Sequence, residues 1–240
     1  MPYVCLLLSG AALLVNGLAT LGHVPRRDAA VLSLAVGIVQ VLLGVVVLSP
    51  GTPAGGALEA AGMFLFGLTY VYVGLDSLLK LGSKGLGWFC GMVAVVGPLL
   101  AAAWLRDDPL LAVLWLCWSA LWALFFVSMA LAVARVDTFT GWALVLTSQV
   151  TATIPAFLGL AGLWPRSPQV AATAAVLLGA LFTAAGILAR RTLARKTLAR
   201  KTLARKTLAA HGTARPGALA PVRTAQPDLP LEASGEKAAR

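Results

Sequence analysis

The sequence predicts an all-α fold, a polytopic membrane bundle of about seven transmembrane helices. Three observations carry that prediction. The 240-residue chain is 59% hydrophobic and 12% charged, with a mean hydropathy of +0.87. An ordinary soluble domain is roughly a quarter charged, so this chain lacks the charges to cover a water-exposed surface. Its apolar runs are about twenty residues long, the length that crosses a bilayer core as a helix. The runs are also continuous. Lipid admits only helices and closed barrels, and barrel strands read as short alternating segments.

The elements follow in order. The first run, Pro2–Leu21, has no basic residue ahead of it, and the first positive charges, Arg26 and Arg27, follow it. A cleaved signal peptide has the reverse order, so a retained helix is expected. His23-Val24-Pro25 closes it. Ala29–Leu48 is stopped by Ser49-Pro50-Gly51-Thr52-Pro53, and Leu58–Leu79 by Gly82-Ser83-Lys84-Gly85. Leu86–Leu105 ends at Arg106-Asp107-Asp108-Pro109, and Leu110–Ala134 ends before Asp137. Phe139–Trp164 is closed by Pro165-Arg166-Ser167-Pro168, and Pro168–Ala189 is the seventh run. These breakers are the residues that turn a chain. The expected organisation is a six-helix membrane domain over 1–165, an additional helix over 166–190, and a basic, repeat-containing, disordered tail over 191–240.

The net charge of +10 is unevenly placed: twelve of the nineteen Lys and Arg lie between Arg190 and Arg240. That placement fits a tail beside anionic lipid and speaks against nucleic acid as a partner. Loops 1–2, 3–4 and 5–6 hold Arg26, Arg27, Lys80, Lys84 and Arg135, whereas the alternate loops hold only Arg106 and Arg166. The positive-inside rule then predicts an outer N-terminus and a cytoplasmic C-terminus in a cytoplasmic membrane. Seven crossings bring the basic tail to the same side. From Arg195 the unit Arg-Lys-Thr-Leu-Ala recurs three times, after a degenerate copy around Arg191. A period of five spreads basic pairs around a helix, and the Pro, Ala and Gly that dominate from Gly212 predict disorder. Cys5, Cys90 and Cys117 lie far apart in apolar runs, which predicts neither a disulfide framework nor a metal site.

Residues for catalysis are scarce. His23 and His211 are the only histidines, and no paired carboxylates, HExxH, GxSxG or phosphate loop is present. The expectation is a protein that is not an enzyme and holds no cofactor. Coupled transporters commonly place ionisable residues inside their helices; here the candidate is Asp76, which can pair with Lys80 one turn later. Run 5 is the most informative. Trp115, Trp118 and Trp122 fall at i, i+3 and i+7, one helical face, in a helix interior rather than the interfacial belt usual for membrane tryptophan. Such a stripe either packs helices or lines a flat slot in which rings stack on amide faces and indole N–H groups donate to a carbonyl. Run 3 adds Phe66 and Tyr70 at i, i+4, with Gly67 permitting close approach. Run 6 carries Thr147, Ser148, Gln149, Thr151 and Thr153 ahead of Pro155, either for bonds between helices or as partners for a passing amide.

These residues resemble the bacterial urea/amide channel family, the UreI and AmiS proteins. The likeness runs through Leu14-Val15-Asn16-Gly17-Leu18, Phe64 to Tyr72, the Trp-x2-Trp-x3-Trp spacing, Phe139-Thr140-Gly141-Trp142 and Thr151 to Ala156. It spans about Leu6 to Leu163. The resemblance implies a homo-hexamer in which each protomer holds its own passive pore, lined at positions matching Leu13, Phe66, Tyr70, Trp115, Trp118 and Trp122. Thr147 stands where some urea channels carry a pore glutamate. The outer loops lack the histidines of the acid-gated member, and the seventh helix and tail lie beyond the family's six-helix pattern. The expected function is passive passage of urea or short-chain amides. An ion-coupled transporter and a membrane scaffold acting through the basic tail are the alternatives.

Overall fold

The computed structural model describes residues 2–49 and 56–212, and every regular element among them is helical. The helices are α1 (Pro2–Leu21), α2 (Arg26–Val47), α3 (Gly56–Leu79), α4 (Lys84–Trp104), α5 (Pro109–Phe125), α6 (Asp137–Ser148), α7 (Ile154–Leu160) and α8 (Pro168–Gly212). A π-turn, Phe126–Ala130, extends α5, and another, Gln149–Thr153, joins α6 to α7. Pro155 sits in the first turn of α7. Proline lacks the N–H that would continue the ladder, and the π-turn lies directly before it, a single-turn bulge within the helical span. With each π-turn counted into its span, the described residues contain seven helices long and apolar enough to cross a membrane.

The first six spans close a ring. α2 packs on α3, α4 on α5, and α1 on α6, while α1–α2, α3–α4 and α5–α6 complete the circuit. Small residues set the spacing. A Cβ on Gly37 of α2 would lie 2.7 Å from the Gly67 carbonyl of α3, so the two backbones approach as only glycine permits. Buried polar side chains on α1 and α2 bond across this ring: Asn16 Nδ2 donates to Ser33 Oγ at 2.8 Å. Each such group would be costly in lipid without a partner.

The chain divides into two compact units, Met1–Thr197 and Leu198–Arg240. In the first, Leu178 and Ala185 of α8 belong to the main core, and Trp142 Nε1 of α6 donates to Thr192 Oγ1 at 3.0 Å. In the second, Leu198 to Thr207 is exposed helix. α8 runs to Gly212, through the first part of the segment that the sequence assigns to a tail from 191; its Arg, Lys, Leu and Ala are strong helix formers. The expectation of disorder beyond Gly212 lies outside the described residues.

Candidate functional site: two cavities joined at an aromatic cluster

Two cavities lie in the ring. The wide one, about 200 Å³, is bordered by Leu6 and Ser9 of α1, Gln40 of α2, Met63 and Phe66 of α3, and Trp115 and Trp118 of α5. Its rim carries Tyr3, Glu59, Asp107, Asp108, Trp164 and Arg166. The narrow one, about 20 Å³, is bordered by Leu13, Phe66, Thr69, Tyr70, Trp118, Leu121, Trp122 and Phe125. Phe66 and Trp118 border both. These two rings therefore stand between the cavities.

Local structure explains how the rings get there. Asp108 caps α5, accepting from the Leu111 N–H at 2.9 Å, with Pro109 next as the first helical residue. That fixes the start of the helix carrying the tryptophans. The other Asp108 oxygen accepts from Trp164 Nε1 at 2.7 Å, tying the α4–α5 turn to the segment before α8 at the rim. Tyr3 packs on Trp164 with ring centroids 5.3 Å apart. Deeper, Gly62 makes room for an indole: a Cβ there would lie 2.9 Å from Trp115 Cζ2.

Phe66 is the hub of the cluster. Its ring centroid is 4.6 Å from that of Trp122, 5.0 Å from Trp118 at 88°, 5.9 Å from Trp115 and 6.2 Å from Tyr70. Trp115 and Trp122 are near parallel, at 16° and 6.2 Å. Ring pairs in such geometries contribute about 0.5–1.5 kcal/mol beyond their burial. The structure thus brings together Phe66, Tyr70, Trp115, Trp118 and Trp122, with Leu13 on the wall of the narrow cavity. Thr147 stands apart. It is fully buried, borders neither cavity, and its hydroxyl donates to Ala143 O of its own helix at 2.7 Å. Thr151 and Ser148 bond back to Thr147 O and Val145 O in the same way, as hydroxyls within helices do.

The polar groups of the cluster differ in what they have left to offer. Trp122 Nε1 donates to Thr69 Oγ1 at 3.1 Å, and the Thr69 hydroxyl donates to Leu65 O. The Tyr70 hydroxyl donates to Ser9 O at 3.4 Å. Trp118 Nε1 is buried and has no partner among the described residues. Gln40, which sequence reasoning missed, is fully buried on the wall of the wide cavity. Its place on the Ser33, Gly37, Gln40, Gly44 face of α2, all buried, is the signal that marks it. Asp76 also differs from expectation. Its carboxylate accepts from the backbone N–H and the hydroxyl of Ser83 rather than pairing with Lys80, whose backbone turns left-handed (φ 55°) as α3 ends.

A family model described as AmiS/UreI family transporter matches residues 1–163. A protein of Rhodococcus erythropolis, provisionally named transporter protein AmiS2, is 44% identical over 192 residues, covering 79% of this chain and 93% of its own. The acid-activated urea channel of Helicobacter pylori is 28% identical over 185 residues, covering 64% of this chain and 94% of its own. The crystal structure of the Helicobacter pylori urea channel superimposes with a TM-score of 0.61 at 27% identity, over 69% of this chain and all of that one. The cryo-electron microscopy structure of that channel in its closed state gives 0.62.

Proposed function

The chain belongs to the AmiS/UreI family of transporters, and from that premise we propose that it is a passive channel for small neutral amides, urea included. One observation carries the reading: two cavities meet at a single aromatic pair, Phe66 and Trp118, in the middle of a closed ring of helices. Among the described residues the narrow cavity has no charged wall. An ion entering it would shed its water shell with nothing to replace it, at a cost of several kcal/mol or more. A planar neutral amide sheds less, and recovers part of it by stacking on the rings. Asp76 supports an uncoupled mechanism, because Ser83 already holds its carboxylate away from both cavities.

The loop charges support a cytoplasmic-membrane orientation with the rim of the wide cavity outside. The family resemblance supports a hexamer of independent pores. The test is stopped-flow uptake of urea and acetamide into vesicles holding purified protein. Flux above that of protein-free vesicles, equal with and without imposed proton or sodium gradients, is expected. Flux that requires a gradient identifies a coupled transporter instead and overturns the channel.

A further inference from the structure

Among the described residues, two buried side-chain polar atoms have no hydrogen-bond partner: Gln40 Oε1 and Trp118 Nε1. One is an acceptor, the other a donor, and both residues border the wide cavity. The orientation of the Gln40 amide is fixed by its surroundings. Gln40 Nε2 donates to Cys5 O at 2.9 Å and to Ser9 Oγ at 2.7 Å. A backbone carbonyl only accepts, so the nitrogen must face α1 and the oxygen is left over. Trp118 has no such choice, since an indole nitrogen only donates. Buried polar atoms without partners are rare, because each forfeits the hydrogen bonds it made in water. Here the two are of opposite sense and belong to residues that both border the wide cavity, Trp118 bordering the narrow one as well, while the neighbouring indole of Trp122 is satisfied by Thr69.

Resting on the reading that small amides pass through these cavities, we propose that Gln40 and Trp118 form a recognition pair for the primary amide group. Gln40 Oε1 accepts from the N–H of the solute, and Trp118 Nε1 donates to its carbonyl. A cation can use only the first atom and an anion only the second. A planar molecule with N–H at one end and C=O at the other uses both. Gln40 is then a specificity-determining residue on the side of the pathway opposite the tryptophans, and substitution at the amide nitrogen weakens recognition step by step.

Propionamide, N-methylacetamide and N,N-dimethylformamide test this, being isomers with two, one and no N–H groups. The readout is their protein-dependent permeability in vesicles, after subtraction of protein-free flux and per assembled protein. Gln40→Met is expected to lower propionamide permeability by about threefold to tenfold, the size of one hydrogen bond, and to leave N,N-dimethylformamide unchanged. Trp118→Phe is expected to lower both, because both present a carbonyl. An equal change of all three isomers in Gln40→Met, or no change in any, overturns the pair. If Gln40→Met does not assemble, because its bonds to α1 are lost as well, the unaltered protein decides. Permeability falling from propionamide to N-methylacetamide to N,N-dimethylformamide supports the pair, and equal permeabilities overturn it. No amide flux at all in the unaltered protein defeats the channel reading itself, a result distinct from flux without this ranking.

Discussion

The wide and narrow cavities share Phe66 and Trp118 but are built on different terms. The wide one has a charged rim, and two of its bordering residues, Gln40 and Trp118, carry buried polar atoms with no hydrogen-bond partner among the described residues. Besides the shared pair, the narrow one is walled by Leu13, Thr69, Tyr70, Leu121, Trp122 and Phe125, and the Trp122 indole N–H and the Thr69 and Tyr70 hydroxyls are already engaged within the protein. On the proposed reading, a solute exchanges its water for protein hydrogen bonds at the first space and meets mainly apolar surface in the second, which assigns recognition to the wide cavity and exclusion to the narrow one. The contrast arises from sequence position: Trp118 and Trp122 are one turn apart on α5, yet only Trp122 faces a threonine across the α3 boundary.

The largest effect should come from removing the divider. Trp118→Ala and Phe66→Ala each join the two cavities, and glycerol permeability should rise relative to urea and acetamide in protein that still assembles. If these rings only pack helices, the truncations leave voids costing about 3–5 kcal/mol, by analogy with soluble cores. Thermal stability would then drop with solute ratios unchanged, and the distinction between the cavities would be lost. Stopped-flow uptake of the three solutes, normalised to assembled protein, separates the two results.

A smaller change sharpens the comparison. Trp122→Phe removes the donor to Thr69 while keeping an aromatic wall. It should cost about 1 kcal/mol of stability, the net value of one hydrogen bond, and leave the order of amide permeabilities as it was. Trp118→Phe, in contrast, breaks no internal hydrogen bond and should act on amide flux. If both behave alike in thermal melts and in flux, the two indoles are equivalent and the assignment of recognition to one cavity fails.

The legibility of these features in the sequence follows their physics. The tryptophan stripe could be read because helical period places i, i+3 and i+7 on one face, whatever packs against it. Phe66 and Tyr70 could be read for the same reason. Gln40 could not, since a single glutamine in an apolar helix equally suits a bond between helices, and its Nε2 makes one. Only three-dimensional accounting shows the oxygen left over. Thr147 is singled out through the resemblance, where some urea channels carry a glutamate, and the sequence does not show that its hydroxyl bonds back to its own turn. The Asp76–Lys80 pair assumed a helix that continues, and α3 ends at Leu79.

Acid is the next test, with a smaller expected effect. The rim of the wide cavity holds Glu59, Asp107 and Asp108, and the narrow cavity has no titratable carboxylate among the described residues. Among the described residues neither is bordered by a histidine, the side chain that ordinarily titrates under mild acid. Amide uptake at pH 7 and pH 5 should therefore agree within about twofold. A large activation at pH 5 would place a gate at the carboxylate rim and make the wide cavity a switch as well as a recognition site.

The smallest expected effect tests whether the pathway is independent of the basic tail. Neither cavity is bordered by α8, so truncation after Thr197 leaves every cavity wall in place, along with the Trp142–Thr192 bond. It removes Arg200, Lys201, Arg205, Lys206, Arg215, Arg223, Lys237 and Arg240 together with Asp228, Glu232 and Glu236. That loss of positive charge changes the field near the protein, and a field acts on the local concentration of charged solutes. A neutral amide does not respond to it. Acetamide flux per assembled protein should be the same in truncated and full-length protein, at low and at high salt. A salt-dependent difference between the two would mean that the basic tail acts on the pathway itself. It would overturn a pathway confined to the two cavities and favour the reading in which the tail takes part in function.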